Sequence, residues 1–393
     1  MLIQKRFIQK ANIKRWFWGI TIATALLLSF RISQILQFQE ATAESQEEVL
    51  PQLTAELDAL KVEHKRLQAK WQSQLLAQIA PTLTDEREAV KRQFVDFLEE
   101  IGSPGTAALA VMIHDPSKSV RRNAVEALGE IGEDERKAGQ NYDAAAIGIA
   151  MALKDDSDGV FREAVAELGD VRPTSAESLA VVVPALIAVQ TKGSSRTRDD
   201  VLDVLGQIGE DLAENGESTD TIRDALIAGL NDNSPKVRTN AIAELSDIRE
   251  TSTKTFTALI HALSDDAKSV RARAEDVLIK LGRSHAVSIT PLLVSALTNS
   301  PSATTRGHVV DVLGEIGEAL VKRGESDEMV VKPLLVALRD ANTDVRRNAA
   351  DELGEMRAKS PDAVNALTQA LADSSKNVRR AAQKAIRRIE AAK

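Results

Sequence analysis

One helical phrase is written nine times along this chain, and nothing else in the sequence constrains the fold as strongly. Val120-Arg121-Arg122-Asn123-Ala124 runs on to Leu128-Gly129-Glu130-Ile131-Gly132, and Val345-Arg346-Arg347-Asn348-Ala349 runs on to Leu353-Gly354-Glu355-Met356. Aligned on its first apolar position, the phrase is anchored at Val90, Val120, Val160, Thr197, Val237, Val270, Thr305, Val345 and Val378, spaced by 30 to 40 residues. Val120, Ala124, Ala127, Leu128 and Ile131 fall at i, i+4, i+7, i+8 and i+11, one stripe of an amphipathic helix. A short apolar helix, such as residues 106–113, and a turn precede it. A hairpin of this size cannot bury its apolar face alone, so successive copies must stack. The predicted fold is all-α: an α-solenoid of about nine helical hairpins over residues 82–393.

Two charged positions recur with the anchor. An Asp falls five residues before most anchors: Asp85, Asp115, Asp155, Asp232, Asp265, Asp340 and Asp373. A basic residue follows nearly every anchor: Lys91, Arg121, Arg198, Arg238, Arg271, Arg306, Arg346 and Arg379; Phe161, followed by Arg162, is the exception. An Asp at a helix start can accept from the unpaired N–H groups of the first turn. An Arg one turn in can reach a carboxylate of its own or the adjacent unit. The expected result is a structural line of alternating charges along the stack. Gly129 and Gly132 suit either a helix end or close packing on a neighbour.

These features, the Asp-x5-Arg spacing and the V-R-x-x-A-x-x-x-L-G-x-I-G run, are carried by residues 84–393, which resemble HEAT repeats of the short bacterial kind also found in phycobilin lyases. The resemblance implies the helical-hairpin solenoid. It says little of activity, because many functions use this fold. A longer duplication lies on top: residues 197–218 resemble residues 305–326 at an offset of 108, both reading V-x-D-V-L-G-x-I-G-E, and anchors Val237 and Val270 map to Val345 and Val378. Three repeats carry polar extensions after the second helix, at 133–143, 210–220 and 318–328. They read as a longer helix and loop, or as insertions placed for partner contact.

Composition narrows the chemistry. The chain has no cysteine, which excludes disulfides, thiolate nucleophiles and Cys-ligated zinc. Aromatics are 3% of 393 residues, so the repeat core must be built from Ala, Leu, Val and Ile. Residues 82–393 hold 40 Lys and Arg against 51 Asp and Glu, a poor surface for phosphate backbones, so no nucleic-acid partner is expected. The five histidines (His64, His114, His261, His285, His308) are scattered, with no i, i+4 pair for a metal. Among relatives that the resemblance brings to mind, di-iron hydroxylases use His-Glu pairs, and no His-Glu dipeptide occurs here. Alkylpurine glycosylases need basic faces with aromatics, and these repeats are acidic with Tyr142 as the only Tyr. No cofactor or catalytic residue is indicated.

The segment before the repeats has a different character. Residues 1–15 are basic, and Trp16–Phe30 is an uncharged apolar run of 15 residues. Extended through Phe38, it would span roughly 34 Å as a helix, enough for a bilayer core. The expected organisation is a basic cytosolic tail (1–15), a signal-anchor helix (16–38), a helical stalk (39–81) and the solenoid (82–393). Five positive charges before Trp16 predict a cytosolic N-terminus with extracytoplasmic, periplasmic repeats. A cleaved signal peptide is the competing reading; Ala41-Thr42-Ala43 resembles a cleavage site but lies far beyond the apolar run. Leu50, Leu53, Leu57, Leu60, His64, Leu67 and Trp71 alternate by three and four. That seam could pair two chains through residues 44–80 or lay a single helix on the first repeat.

The function that remains is recognition: a membrane-anchored scaffold binding a protein partner, without catalysis. The candidate contact residues are polar positions on the second helices: Arg122, Asn123 and Glu126, Asn240 and Glu244, and Arg347, Asn348 and Asp351. The alternative, carried by the resemblance, is a phycobilin-lyase-like accessory enzyme or chaperone.

Overall fold

In a computed structural model the described residues are 88–391, together with Arg66. The predicted tail, anchor and most of the stalk lie outside them. Among the described residues no helix is long and apolar enough to cross a membrane. Those residues form seventeen α-helices, two short 3-10 turns and no strand. They fall into two compact units divided after Gly148.

The first unit contains α1 (Glu88–Ile101), α2 (Thr106–Met112) and α3 (Lys118–Lys137), and the start of α4 (Asp143–Met151). Helix α3 packs along α1, and α2 packs on both. The second unit continues with α5 (Asp158–Val171), α6 (Ala176–Val189), α7 (Ser195–Glu214), α8 (Asp220–Gly229), α9 (Pro235–Asp247), α10 (Thr253–Ala262) and α11 (Lys268–Gly282). It closes with α12 (Ala286–Asn299), α13 (Ala303–Lys322), α14 (Glu328–Ala337), α15 (Thr343–Glu355), α16 (Pro361–Ala370) and α17 (Lys376–Glu390). Odd-numbered helices are the predicted second helices, and each contains one anchor. In the second unit each packs on the next: α5 on α7, α7 on α9, and so on to α17. The anchors Val160, Thr197, Val237, Val270, Thr305, Val345 and Val378 are all buried there.

The recurrent Asp has a different task from the one expected. Its carboxylate accepts not from the first helical turn but from the N–H two residues on, as in Asp115 with Ser117, Asp232 with Ser234 and Asp373 with Ser375, at 2.7–2.8 Å. It therefore fixes the turn before the helix, as an Asx turn does. True helix caps fall later: Ser194 and Ser302, for example, accept from the N–H groups of Thr197 and Thr305.

The phrase glycines sit inside helices rather than at their ends. Gly129 and Gly132 are buried within α3. The equivalent pairs show why: a Cβ on Gly206 would overlap the Glu244 carboxylate, and one on Gly209 would press on Ile248 and Ile222. Gly314 and Gly317 meet Glu352 and Met356 in the same way. Of the two expectations for these residues, close packing on the neighbouring repeat is the one observed. Helix termination is handled by other residues. The three 20-residue helices α3, α7 and α13 end at Gly139, Gly216 and Gly324, each at positive φ. The N–H after each glycine reaches back to the helix, as Glu217 does to the Leu212 carbonyl at 2.8 Å, closing a Schellman motif. The polar extensions are thus extra helical turns and a glycine cap. In the shorter α5, α9 and α15 the left-handed residue is Arg172, Arg249 and Arg357.

Candidate functional site

The line of charges forms, and its direction is consistent. Arg198, Arg238, Arg306 and Arg346 each pair with the Asp of the following repeat. Arg198 grips Asp232 with two N–H groups at 2.6 and 2.8 Å, Arg238 grips Asp265 at 2.8 and 2.7 Å, Arg306 grips Asp340 at 2.7 and 2.8 Å, and Arg346 grips Asp373 at 2.8 and 3.0 Å. In the first unit Lys91 pairs with Asp115 at 2.5 Å. The third guanidinium nitrogen turns back to its own repeat: Arg238 and Arg346 each donate to the backbone carbonyl of the Asp six residues earlier, at 2.8 Å, as do Arg121, Arg271 and Arg379 at 2.7–2.9 Å. Each rung therefore ties two consecutive turns and one helix together. Asp232, Asp340 and Asp373 are held below the usual carboxylate range, chiefly by their arginine hydrogen bonds. The spacing thus brings Arg and Asp of successive repeats into hydrogen-bonded pairs.

Two junctions in the second unit lack a rung. Five residues before Thr197 and Thr305 stand Lys192 and Ser300 instead of Asp. At the first, Arg is replaced by Phe161, whose ring lies where a Cβ on Gly193 would make van der Waals contact. At the second, Arg271 remains, and its Nε is buried without a hydrogen-bond partner. The corresponding helix contacts, α5 on α7 and α11 on α13, are the sparsest between consecutive second helices of this unit.

Crowded carboxylates also gather between second helices, across α7 and α9 and across α13 and α15. The predicted contact residues Asn240 and Asn348 do not stand free. Asn240 donates to Asp203 on α7 at 2.5 Å, and Asn348 donates to Asp311 on α13 at 2.8 Å. Burial lifts Asp203, and it lifts Asp311 to about 6 with help from Glu275; the asparagine amide opposes both shifts. Glu244, a predicted residue, lies over Gly206, and burial with the nearby Asp203 pushes it to about 8. Its structural equivalent is Glu352 over Gly314, also pushed to about 8 by burial and Asp311. The sequence reading selected Asp351 there, one position off the register; Asp351 is half-buried and neighbours Glu352. The offset of 108 residues between the copies is the signal that finds Glu352. Arg347 is half-buried, reaching Asp344 at 3.7 Å and the Asn348 amide oxygen at 2.8 Å.

In the first unit, Arg122 and Glu126 are exposed on α3 and Asn123 is half-buried. Burial and Glu130 raise Glu99 to about 7, and burial raises Glu135, which accepts from the Ser103 hydroxyl, to about 7.

One cluster escaped the sequence reading. Glu275 on α11 and His308 and Asp311 on α13 place one ligand atom each within 4.8 Å of one another. His308 Nδ1 lies 2.5 Å from Glu275 Oε2, and that hydrogen bond raises the imidazole's affinity for a proton. The search for i, i+4 histidine pairs could not find it, because the ligands combine an i, i+3 pair with a residue 33 positions upstream. His114, His261 and His285 are exposed, as expected of surface or turn residues.

Comparison with known proteins agrees with this architecture. The HEAT-repeat family profile matches residues 73–169, 184–279 and 331–393. No curated protein sequence matches the chain. Among solved structures, the karyopherin Kap121p bound to Nup53p is similar over 93% of this chain and 41% of that one, at 14% identity and a TM-score of 0.54. Kap121p bound to the extreme C-terminus of the protein phosphatase Cdc14p gives 92%, 42%, 14% and 0.54. This chain thus spans about two fifths of the karyopherin's length, and the likeness is one of fold.

Proposed function

The chain belongs to the HEAT-repeat family, and from that premise we propose that it is a non-enzymatic scaffold whose acidic second helices bind a protein partner through a basic segment. The observation that carries this reading is a pair of carboxylate clusters. Asp203 and Glu244 lie on the consecutive second helices α7 and α9, and Asp311 and Glu352 on α13 and α15; all four are half-buried and crowded by further acids, with pKa values lifted by burial and by neighbouring carboxylates. Such a surface gains when a cation neutralises it, and a lysine- or arginine-rich strand laid across the helices supplies several at once. That two structures of the karyopherin fold were solved with protein ligands is in keeping with recognition along such an array. Of the predicted contact residues in the second unit, Glu244 and Asp351 would meet the partner, while Asn240 and Asn348 orient the carboxylates beneath it.

The test is binding of a labelled oligolysine peptide and a charge-reversed oligoglutamate by fluorescence anisotropy at low and high salt. The basic peptide should bind, more weakly as salt rises, and lose affinity in Glu244→Gln/Glu352→Gln. Equal binding of both peptides would defeat the reading. The membrane tether (16–38), the extracytoplasmic placement of the repeats and chain pairing through 44–80 belong to the same proposal. Their support is the apolar run, the basic residues before it and the heptad seam. A reporter active only outside the cytosol, fused after Lys393, should be active, and crosslinking should trap a dimer that Leu57→Asp/Leu60→Asp abolishes.

A further inference from the structure

We infer that Glu275, His308 and Asp311 form a divalent transition-metal site that clamps α11 to α13 at a junction where the arginine–aspartate rung is missing. Three observations meet there. The first is the ligand set: an imidazole and two carboxylates from two helices, their ligand atoms all within 4.8 Å and all half-buried, so solvent reaches them. Ligand atoms about 2.0–2.2 Å from one metal stand roughly 3–4 Å apart, so separations that run from 2.5 Å for His308–Glu275 to at most 4.8 Å need small side-chain adjustments to hold one ion. Three protein ligands would leave further positions for water, and a mixed imidazole–carboxylate set suits zinc, cobalt, nickel or manganese.

The second observation is orientation from outside the set. The Asn348 amide on α15 holds one oxygen of Asp311 at 2.8 Å, leaving the other for a metal, the arrangement by which outer groups fix a ligating carboxylate. The third is the internal copy. At the offset of 108 residues, Asp200, Asp203 and Asn240 replace His308, Asp311 and Asn348; the preceding anchors Val160 and Val270 are offset by 110, and there Val165 replaces Glu275. There the Lys236 ammonium reaches into the acidic group, 2.5 Å from Asp199. In the downstream copy Asp199 and Lys236 become Gly307 and Asp344, and the cluster's imidazole stands in place of Asp200. One copy carries its own cation; the other is built to accept one. The charged groups facing the cluster are Arg271 and Arg347, which oppose a cation, and Glu352, which favours it. The opposing guanidiniums set the affinity below that of an all-acid cage.

The consequence is mechanical. Ser300 cannot hold Arg271 as Asp340 holds Arg306, and α11 and α13 pack sparsely. A metal ion bridging Glu275 on one helix with His308 and Asp311 on the other would replace the absent rung.

The untagged full chain, stripped with chelator, is titrated calorimetrically with Zn2+, Co2+, Ni2+ and Mn2+. The expected result is one equivalent bound per chain for at least one of them, visible for Co2+ as ligand-field absorption, with slower amide exchange in α11 and α13 when loaded. His308→Gln should remove the absorption and the saturable binding, and Asn348→Ala should weaken it about 10-fold. Circular dichroism checks that each variant folds; should His308→Gln fail to fold, Glu275→Gln takes its place. Binding of none of the four ions overturns the inference, and so does uptake that His308→Gln leaves unchanged, or loading that leaves exchange in α11 and α13 unaltered.

Discussion

The segments anchored at Thr197 and Thr305 are one design written twice, and the two differ in an instructive way. Both lead with a serine cap, Ser194 and Ser302. Both have an Arg that grips the next repeat's Asp, an Asp held by an asparagine on the next second helix, and a glycine that makes room for a half-buried glutamate. These shared residues lie between helices, where geometry leaves no freedom. Around the polar cluster the copies diverge at Asp199/Gly307, Asp200/His308, Lys236/Asp344 and Thr239/Arg347, and they diverge again toward the helix ends, as at Asp211/Ala319 and Glu214/Lys322. Packing residues record how the array is held together, and the divergent ones record what each half is for.

The largest expected effect breaks the skeleton. Arg238→Ala removes two bonds to Asp265, one to Asp266 and two to its own turn, and leaves the half-buried Asp265 without its partner. It should cost about 3 kcal/mol in denaturant unfolding. Arg271→Ala, at the junction with no carboxylate opposite, should cost about 1 kcal/mol. Equal losses would show that the rung itself contributes little.

Next comes the glycine–glutamate pair. Gly206→Ala and Gly314→Ala should each destabilise by about 1–2 kcal/mol by displacing Glu244 and Glu352, less than a rigid backbone clash because a side chain can yield. Trimming the glutamate as well, in Gly314→Ala/Glu352→Ala, should recover most of the loss. A double variant no better than the sum of its parts would place the strain elsewhere.

The glutamates also set a pH dependence. Glu244 sits at about 8 in the fold against an ordinary 4.5, so the folded protein holds the extra proton between those values. Its contribution is most favourable below pH 4.5 and is lost as pH rises through 8. Glu244→Gln should therefore flatten the fall in stability over that window and gain on the order of 1 kcal/mol at pH 9, seen as a higher melting temperature there than in the unaltered chain. The smallest effect concerns helix ends. Arg357→Gly relieves a side chain at φ 56°, as Gly324 already does at the end of α13, and should stabilise by about 0.5–1 kcal/mol in chemical denaturation.

Much of this was legible in the sequence, because stacking repeats impose a period. All nine second helices contain their predicted anchors, and the Asp-to-Arg spacing foretold the ladder. What escaped reading depends on contacts between repeats. No local pattern shows that Gly206 exists to seat Glu244, 38 positions later, or that Glu352 rather than Asp351 is its counterpart. Asp232 reads as a helix cap in sequence because composition near a helix start does not distinguish a cap from the turn before it. The His308 cluster was invisible because its members belong to two successive repeats, each unremarkable alone.

The missing rung between Arg271 and Ser300 has one more implication. A row of hairpins stitched at only some of its joints does not bend evenly; deformation collects at the unstitched seams. Stretched between its ends in an optical trap, the second unit should yield first where α11 meets α13 and at the likewise rung-free junction of α5 with α7, like a chain with two soft links.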